Sequence, residues 1–250
     1  MIPFGPDYAG LYDSLYQDKD YAAECALVED LLKRFSEKKP LKILDLGCGT
    51  GRHAALFAQH GFQVTAVDRS AAMIKIAREK SPKPVSFHQS EIENLDLGQT
   101  FDACVMLFAV FSYLTEDRVL EAALQNVRRH LKPGGLFLFD FWSEEAVLAE
   151  PPSNRSKEMP CSGGRVEREA TTLLREKEKI CEIHYRFRKK EGTRVLLEGE
   201  ERHRMRYFSR PEVSKLLQSQ GFEPVASGGF PDFEAARPVH WSLLQIARPR

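Results

Sequence analysis

The stretch Leu44-Asp45-Leu46-Gly47-Cys48-Gly49-Thr50-Gly51 decides the fold of this chain. An apolar run beginning at Lys42 delivers one acidic side chain, Asp45, into three glycines at alternate positions. Glycine lets the backbone turn tightly and lets a ligand come close where a Cβ would stand in the way. A helical pattern follows at once, Arg52–His60, and Gly61 stops it. A strand that turns through glycines into a helix is the first half of a βαβ unit. In sheets built from such units, ligands sit beyond the carboxyl ends of the strands.

Outward from this loop, strand and helix patterns alternate. The segment Tyr8–Phe35 is predicted helical, closed by Lys38, Lys39 and Pro40. After the loop, Phe62–Asp68 is predicted as a strand. Ser70 is placed to cap a helix over Ala71–Lys80, which Pro82 and Pro84 end. Val85–Gln89 is a third strand. Phe101–Phe108, almost wholly apolar, is a central strand covered on both faces. Thr115 caps a helix to Leu131, with acidic residues in its first turn and arginines in its last. Pro133, Gly134 and Gly135 then turn into the strand Leu136–Trp142.

The pattern changes after Glu150. Pro151–Gly164 is rich in Pro, Ser and Gly, and from Arg165 to Phe208 the period becomes two. Cys181, Ile183, Tyr185 and Phe187 alternate with polar residues, as do His203, Met205 and Tyr207, and Glu191-Gly192 fits a hairpin tip. A helix over Arg210–Gln220 and two strands, around Glu223–Ser227 and His240–Ala247, complete the chain. The expected fold is α/β: a doubly wound, mostly parallel seven-stranded sheet of the Rossmann-like kind, formed by residues 1–150 and 209–250. A three- or four-stranded antiparallel sheet is inserted at 151–208.

The 250 residues are 42% hydrophobic and 29% charged, an ordinary globular balance. Lys and Arg number 36, as do Asp and Glu, so the net charge is zero. That argues against a protein that binds nucleic acid by neutralising phosphates. The longest apolar run, Ala103 to Phe111, is far short of the roughly 20 residues that cross a bilayer. The opening MIPFGPDYAG lacks the pattern of a signal peptide. The expected setting is cytoplasmic, away from membranes, as a monomer or homodimer. Five cysteines, Cys25, Cys48, Cys104, Cys161 and Cys181, show no CxxC spacing. They are expected to be reduced and to hold no zinc, and no histidine pair has metal-ligand spacing.

Two cofactor classes use a glycine turn of this kind. Dinucleotide oxidoreductases carry G-x-G-x-x-G, but Arg52 stands here at the third position of that fingerprint. G-x-G-x-G after an acidic strand residue instead resembles motif I of the class I S-adenosyl-L-methionine (SAM) methyltransferases. Asp68 ends the second strand, where a carboxylate accepts from ribose hydroxyls. Ser90-Glu91-Ile92 follows the third strand, where that family reads adenine. Leu131–Leu136 resembles its turn before strand five. The resemblance spans Leu41 to about Trp142. It implies SAM as cofactor, surrounded by Asp45, Gly47, Cys48, Gly49, Gly51, Asp68, Arg69, Met73, Ser90, Glu91, Ile92 and Leu107. Asp45 would lie near the ammonium of SAM, and Cys48 would serve through its backbone.

Methyltransferases that act on nucleobase amines carry Asn/Asp-Pro-Pro-Tyr/Phe after strand four. Here that segment is Leu107-Phe108-Ala109-Val110, so a small-molecule acceptor is expected. Tyr12-Asp13, Lys19-Asp20-Tyr21-Ala22-Ala23-Glu24, Phe108 and Tyr113-Leu114 resemble the N,N-dimethyltransferases of nucleotide-linked amino sugars. In those enzymes an N-terminal helix closes the SAM pocket. Tyr16 and Tyr21 match positions near the amino-acid end of the cofactor, Tyr12 and Tyr113 are candidate acceptor contacts, and Tyr8 is expected to pack into the core. The insertion is basic, and Arg202, Arg204 and Arg206 share one face, suited to a phosphorylated or carboxylated acceptor. His184 and His203 are read as surface histidines, with a general base as the alternative. The expected function is methyl transfer to a small molecule, with the amine of a nucleotide-linked sugar as the named candidate. O-methylation of another metabolite and SAM binding without catalysis remain open. No His/Asp pair announces a base, which favours nitrogen over oxygen.

Overall fold

The computed structural model describes residues 3–81, 83–237 and 239–250; Pro82, read above as ending a helix, lies outside them. The single N-terminal helix expected over Tyr8–Phe35 is two helices, α1 (Pro6–Leu15) and α2 (Tyr21–Phe35). The Asp20 side chain accepts from the Ala23 N–H and starts α2 afresh, because a short acidic side chain caps a new helix better than it continues an old one.

The βαβ series follows: β1 (Lys42–Leu46), α3 (Arg52–Gln59), β2 (Gln63–Asp68), α4 (Ala71–Lys80), β3 (Ser86–Gln89), β4 (Phe101–Met106), α5 (Asp117–His130) and β5 (Leu131–Ser143). Thr115 does not cap α5. The N-cap position is Glu116, without a side-chain bond. Strand β5 begins five residues earlier than expected and takes in the Pro-Gly-Gly turn, with a register shift against β4. A short helix, α6 (Glu144–Ala149), leads to the insertion: β6 (Arg155–Cys161), β7 (Gly164–Arg175), β8 (Ile180–Glu191) and β9 (Arg194–Phe208), four antiparallel strands in sequential order. Then come α7 (Arg210–Ser219), β10 (Phe222–Gly229) and β11 (Ser242–Pro249).

The parallel strands lie in the order β3-β2-β1-β4-β5. Strand β11 runs antiparallel along β5, and β10 pairs with β11, which gives the seven-stranded core. The insertion is not a separate sheet. Trp142 and Ser143, at the end of β5, pair in parallel with Tyr207 and Phe208 of β9, so all eleven strands are continuous.

Alternation along β5 explains the layers. Phe137, Phe139 and Phe141 pack with Leu124 and Val127 of α5 and Leu217 of α7. Leu136 and Leu138 face the other way, with Leu31 of α2, Phe57 of α3 and Ile74 of α4. Each such side chain stabilises the fold by about 1.5–3 kcal/mol when fully buried. Helix α1 belongs to neither layer. Its Tyr8, Leu11 and Leu15 pack on Val166 and Phe187 of the inserted sheet. Among the described residues no helix is long and apolar enough to cross a membrane.

Candidate active site

At the end of β1 the backbone N–H groups of Gly47 and Cys48 both donate to the Val67 carbonyl, which ties the glycine loop to β2. Gly49 has φ +55°, and a Cβ built on it would meet no protein atom within 4 Å. That side of the loop is open space. At Gly47 a Cβ would strike Val110, and at Gly51 it would press on Ala77 and Phe87.

Asp68 holds the loop from below. One oxygen accepts from the Gly49 N–H at 2.8 Å and the other from the Ser70 N–H at 2.8 Å. A carboxylate has about four acceptor positions, so capacity remains for hydroxyl donors. Burial raises its pKa, and the two N–H bonds oppose that rise. Asp45 is 2% exposed, and its Oδ2 has no hydrogen-bond partner among the described residues. Burial, then the charge of Asp68, push its pKa up to about 7. A buried carboxyl in that condition gains most from a cationic neighbour.

Gly47, Gly49 and Asp68 border a cavity of about 260 Å³. The main sheet contributes Gly47, Gly49, Asp68, Arg69, Met73, Ser90, Glu91, Ile92 and Leu107. The loop after β4 contributes Phe108, Ala109, Val110 and Tyr113. The N-terminal segment gives Phe4, Tyr12 and Tyr16, the inserted sheet Tyr185, His203 and Met205, and the end of β5 Trp142. Phe108 and Ala109 are left-handed, at φ +69° and +56°, a conformation that costs about 1–3 kcal/mol each outside glycine. Asp140 at the end of β5 offsets that cost, since both its oxygens accept from the Ala109 N–H at 2.9 Å. Burial pushes Asp140 up to about 6.

Twelve of the expected site residues thus meet at one cavity, and seven do not. Asp45, Cys48 and Gly51 lie behind the loop, and burial pushes the Cys48 thiol well up, away from nucleophilic character. Tyr21 is also absent from the wall. It lies beyond the break between α1 and α2, and its ring rests on His53 beneath the Arg52 guanidinium. Tyr8 is 1% exposed, packed on the inserted sheet; Arg168 donates to both its hydroxyl and that of Tyr16 at 2.9 Å.

Arg202, Arg204 and Arg206 lie on the outer face of β9, away from the cavity. Arg204 sits near Glu178 and Glu182, and Arg206 pairs with Asp117 and Glu212. The inner face of that strand carries His203 and Met205 instead. His203 is no surface histidine: it is 1% exposed, and burial, with the charges of Arg168 and Arg69, pushes its pKa down to about 3. His184 does lie on the outer side, paired with Glu200. Phe4, Trp142, Tyr185 and Met205 had no sequence motif to mark them. For Tyr185 and Met205 the signal was the apolar half of the period-two pattern, which names the inner face; Phe4 and Trp142 lie outside that stretch.

The arrangement offers a glycine cradle open to a ligand, a carboxylate able to accept two hydroxyls, an unpartnered buried acid and an aromatic far wall. These fit the ribose, the ammonium and the methyl-bearing end of SAM. Residues 43–135 match a methyltransferase domain family. A dTDP-3-amino-3,6-dideoxy-alpha-D-glucopyranose N,N-dimethyltransferase of Streptomyces fradiae is 30% identical over 243 residues, 90% of this chain and 89% of that one. Among solved structures, Streptomyces venezuelae DesVI superposes with a TM-score of 0.82 at 23% identity, over 99% of this chain and 100% of that one. SAM-bound CalS10, an amino pentose methyltransferase from Micromonospora echinaspora, gives 0.77 at 22%, over 100% and 99%. At these identities the structures speak for the fold alone. The full-length relative carries the family, and with it the cradle finds its cofactor: the chain belongs to the SAM-dependent methyltransferases.

Proposed function

We propose that the chain methylates the amine of a nucleotide-linked amino sugar. The observation that carries this reading is the relative that matches along nine-tenths of both chains and acts on such an amine. The cavity supports it. Its far wall is aromatic and uncharged, with His203 held neutral. A desolvated amine is held in its neutral form in such surroundings, and an amine with a free lone pair needs position more than a base. A hydroxyl acceptor would need a base active near neutral pH, a task for which a histidine at about 3 is too weak.

SAM supplies an electrophilic methyl group on a sulfonium. In this reading Asp68 accepts from its ribose hydroxyls, Asp45 supplies negative charge towards its ammonium from behind the glycine loop, and Ser90, Glu91 and Ile92 border its adenine. Gly47 and Gly49 allow the close approach, and Arg69, Met73, Leu107 and Tyr16 complete the wall. Residues 151–208 form the acceptor-side unit upon a core of 1–150 and 209–250, with α1 as the lid between them. The same reading includes a cytoplasmic setting, five reduced cysteines, a monomer or homodimer, and no nucleic-acid or membrane partner. The test is incubation with SAM and dTDP-3-amino-3,6-dideoxyglucose, followed by mass spectrometry. Gain of one and then two methyl groups is expected. Tight S-adenosylhomocysteine binding with no methylated amine would overturn the reading in favour of a non-catalytic binder.

A further inference from the structure

We propose that Tyr113 orients the acceptor amine by accepting a hydrogen bond from it, and that His203 and Glu201 set the direction of the Tyr113 hydroxyl. The proposal rests on the acceptor being an amine. Tyr113 Oη lies 2.8 Å from His203 Nδ1, and both side chains line the cavity. Two tautomers could make that bond. In one, the ring donates from Nδ1 and the tyrosine proton points into the cavity. In the other, the tyrosine donates to Nδ1 and the ring proton sits on Nε2.

The surroundings of Nε2 choose between them. It is buried and has no hydrogen-bond partner among the described residues. The nearest acid is Glu201, whose Oε2 is 3.7 Å away, too long for a hydrogen bond but close enough to favour an N–H aimed at it. Glu201 is itself fixed and 4% exposed, its two oxygens accepting from the Phe4 and Gly5 N–H groups at 2.6 and 2.8 Å. A carboxylate behind a histidine fixes its tautomer and ring direction. The proton therefore sits on Nε2, Tyr113 donates to Nδ1, and the hydroxyl has only lone pairs left for the cavity. Burial keeps that hydroxyl protonated.

An amine entering the cavity then gives an N–H to Tyr113 Oη and keeps its own lone pair unshared. The nitrogen forms a bond to the methyl carbon as the carbon–sulfur bond breaks. The sulfur keeps that electron pair and becomes a thioether. The product is an ammonium, which gives its surplus proton to water before a second transfer or on release. His203 stays neutral throughout and acts only through Tyr113. The chain of contacts starts on Phe4 and Gly5, so it is aligned only while the N-terminal segment lies on the inserted sheet. Phe4 also rests its ring on His203 and Tyr113 at 5.0 and 5.6 Å.

The experiment pairs kinetics with imidazole nitrogen NMR of the full chain bound to S-adenosylhomocysteine. Tyr113→Phe and His203→Phe should each lower kcat by roughly ten- to a hundredfold, with S-adenosylhomocysteine affinity within about twofold of wild type. The double variant should be no slower than the slower single one, and His203→Gln, whose carbonyl can accept from the tyrosine, should recover most of the rate. NMR should show the Nε2–H tautomer of His203 in the wild type and a shift towards Nδ1–H in Glu201→Gln. Additive losses, a parallel loss of cofactor affinity, or an Nδ1–H or imidazolium form in the wild type would overturn the proposal. If the wild type turns over no amino-sugar nucleotide, the proposed substrate falls, and the tautomer alone then decides the hydrogen-bond chain.

Discussion

Gly49→Ala separates a ligand contact from a backbone requirement, because the fold supplies its own control. Gly49 and Gly192 have nearly the same backbone, φ +55° and +57°, and at both a Cβ would meet no protein atom within 4 Å. An L side chain in the left-handed region costs about 1–2 kcal/mol. Each alanine variant should therefore lose about that much stability, read as a matched fall in urea midpoint. The two differ only in what fills the open space. Gly192 sits at the tip between β8 and β9, whereas Gly49 lines the cavity. A methyl group pushed into an occupied site costs about 1–3 kcal/mol, which is roughly a five- to 150-fold loss of affinity. Calorimetry with S-adenosylhomocysteine should show that loss in Gly49→Ala and none in Gly192→Ala. Equal affinities in the two variants, both folded, would refute the placement of the cofactor on this loop.

Two further outcomes follow from buried charge. Burial raises Asp45 to about 7 and Asp140 to about 6, so between roughly pH 4 and 7 each of these two carboxyls binds its proton more tightly in the folded chain, whereas buried His203, lowered to about 3, acts in the opposite sense. The unfolding free energy of the wild type measured against that of Asp45→Asn should fall as pH rises through that window; a difference that stays flat or rises in urea titrations would contradict the burial argument. Arg202→Ala and Arg204→Ala remove side chains from the outer face of β9, so kcat and KM should stay within about twofold of wild type, and a large rise in KM for the acceptor would return these arginines to the site.

The α/β core was legible because its signals are local. Glycines after β1, a serine before α4 and the almost wholly apolar β4 each mark a boundary within a few residues. The misplacements have separate causes. The break between α1 and α2 turns on the Asp20 cap, which competes with a helical pattern that otherwise reads through. The start of α5 needed no side-chain cap, so Thr115 was a signal without a bond behind it. The joining of the two sheets was invisible, because it consists of two residue pairs between segments more than sixty positions apart.

The glycine-loop side of the cavity is written in one continuous stretch, residues 47–107, and the opposite side is not. Its walls come from Phe4, from the loop after β4, from the end of β5 and from two strands of the insertion. The pairing of β5 with β9 and the docking of α1 on the inserted sheet bring them together. Along β9 the choice of face depends on a phase of one residue. Arginines at alternate positions attract attention as charge, yet charge is what a strand shows to water. The residues between them, His203 and Met205, were the ones turned inward. A polar residue in the apolar phase of a period-two strand has left solvent, and its burial has to be matched by partners. Here those partners are Tyr113 on one ring nitrogen and the approach of Glu201 on the other. In such a strand the residue that breaks the pattern on the buried face is a better guide to the site than the run of charge on the exposed one.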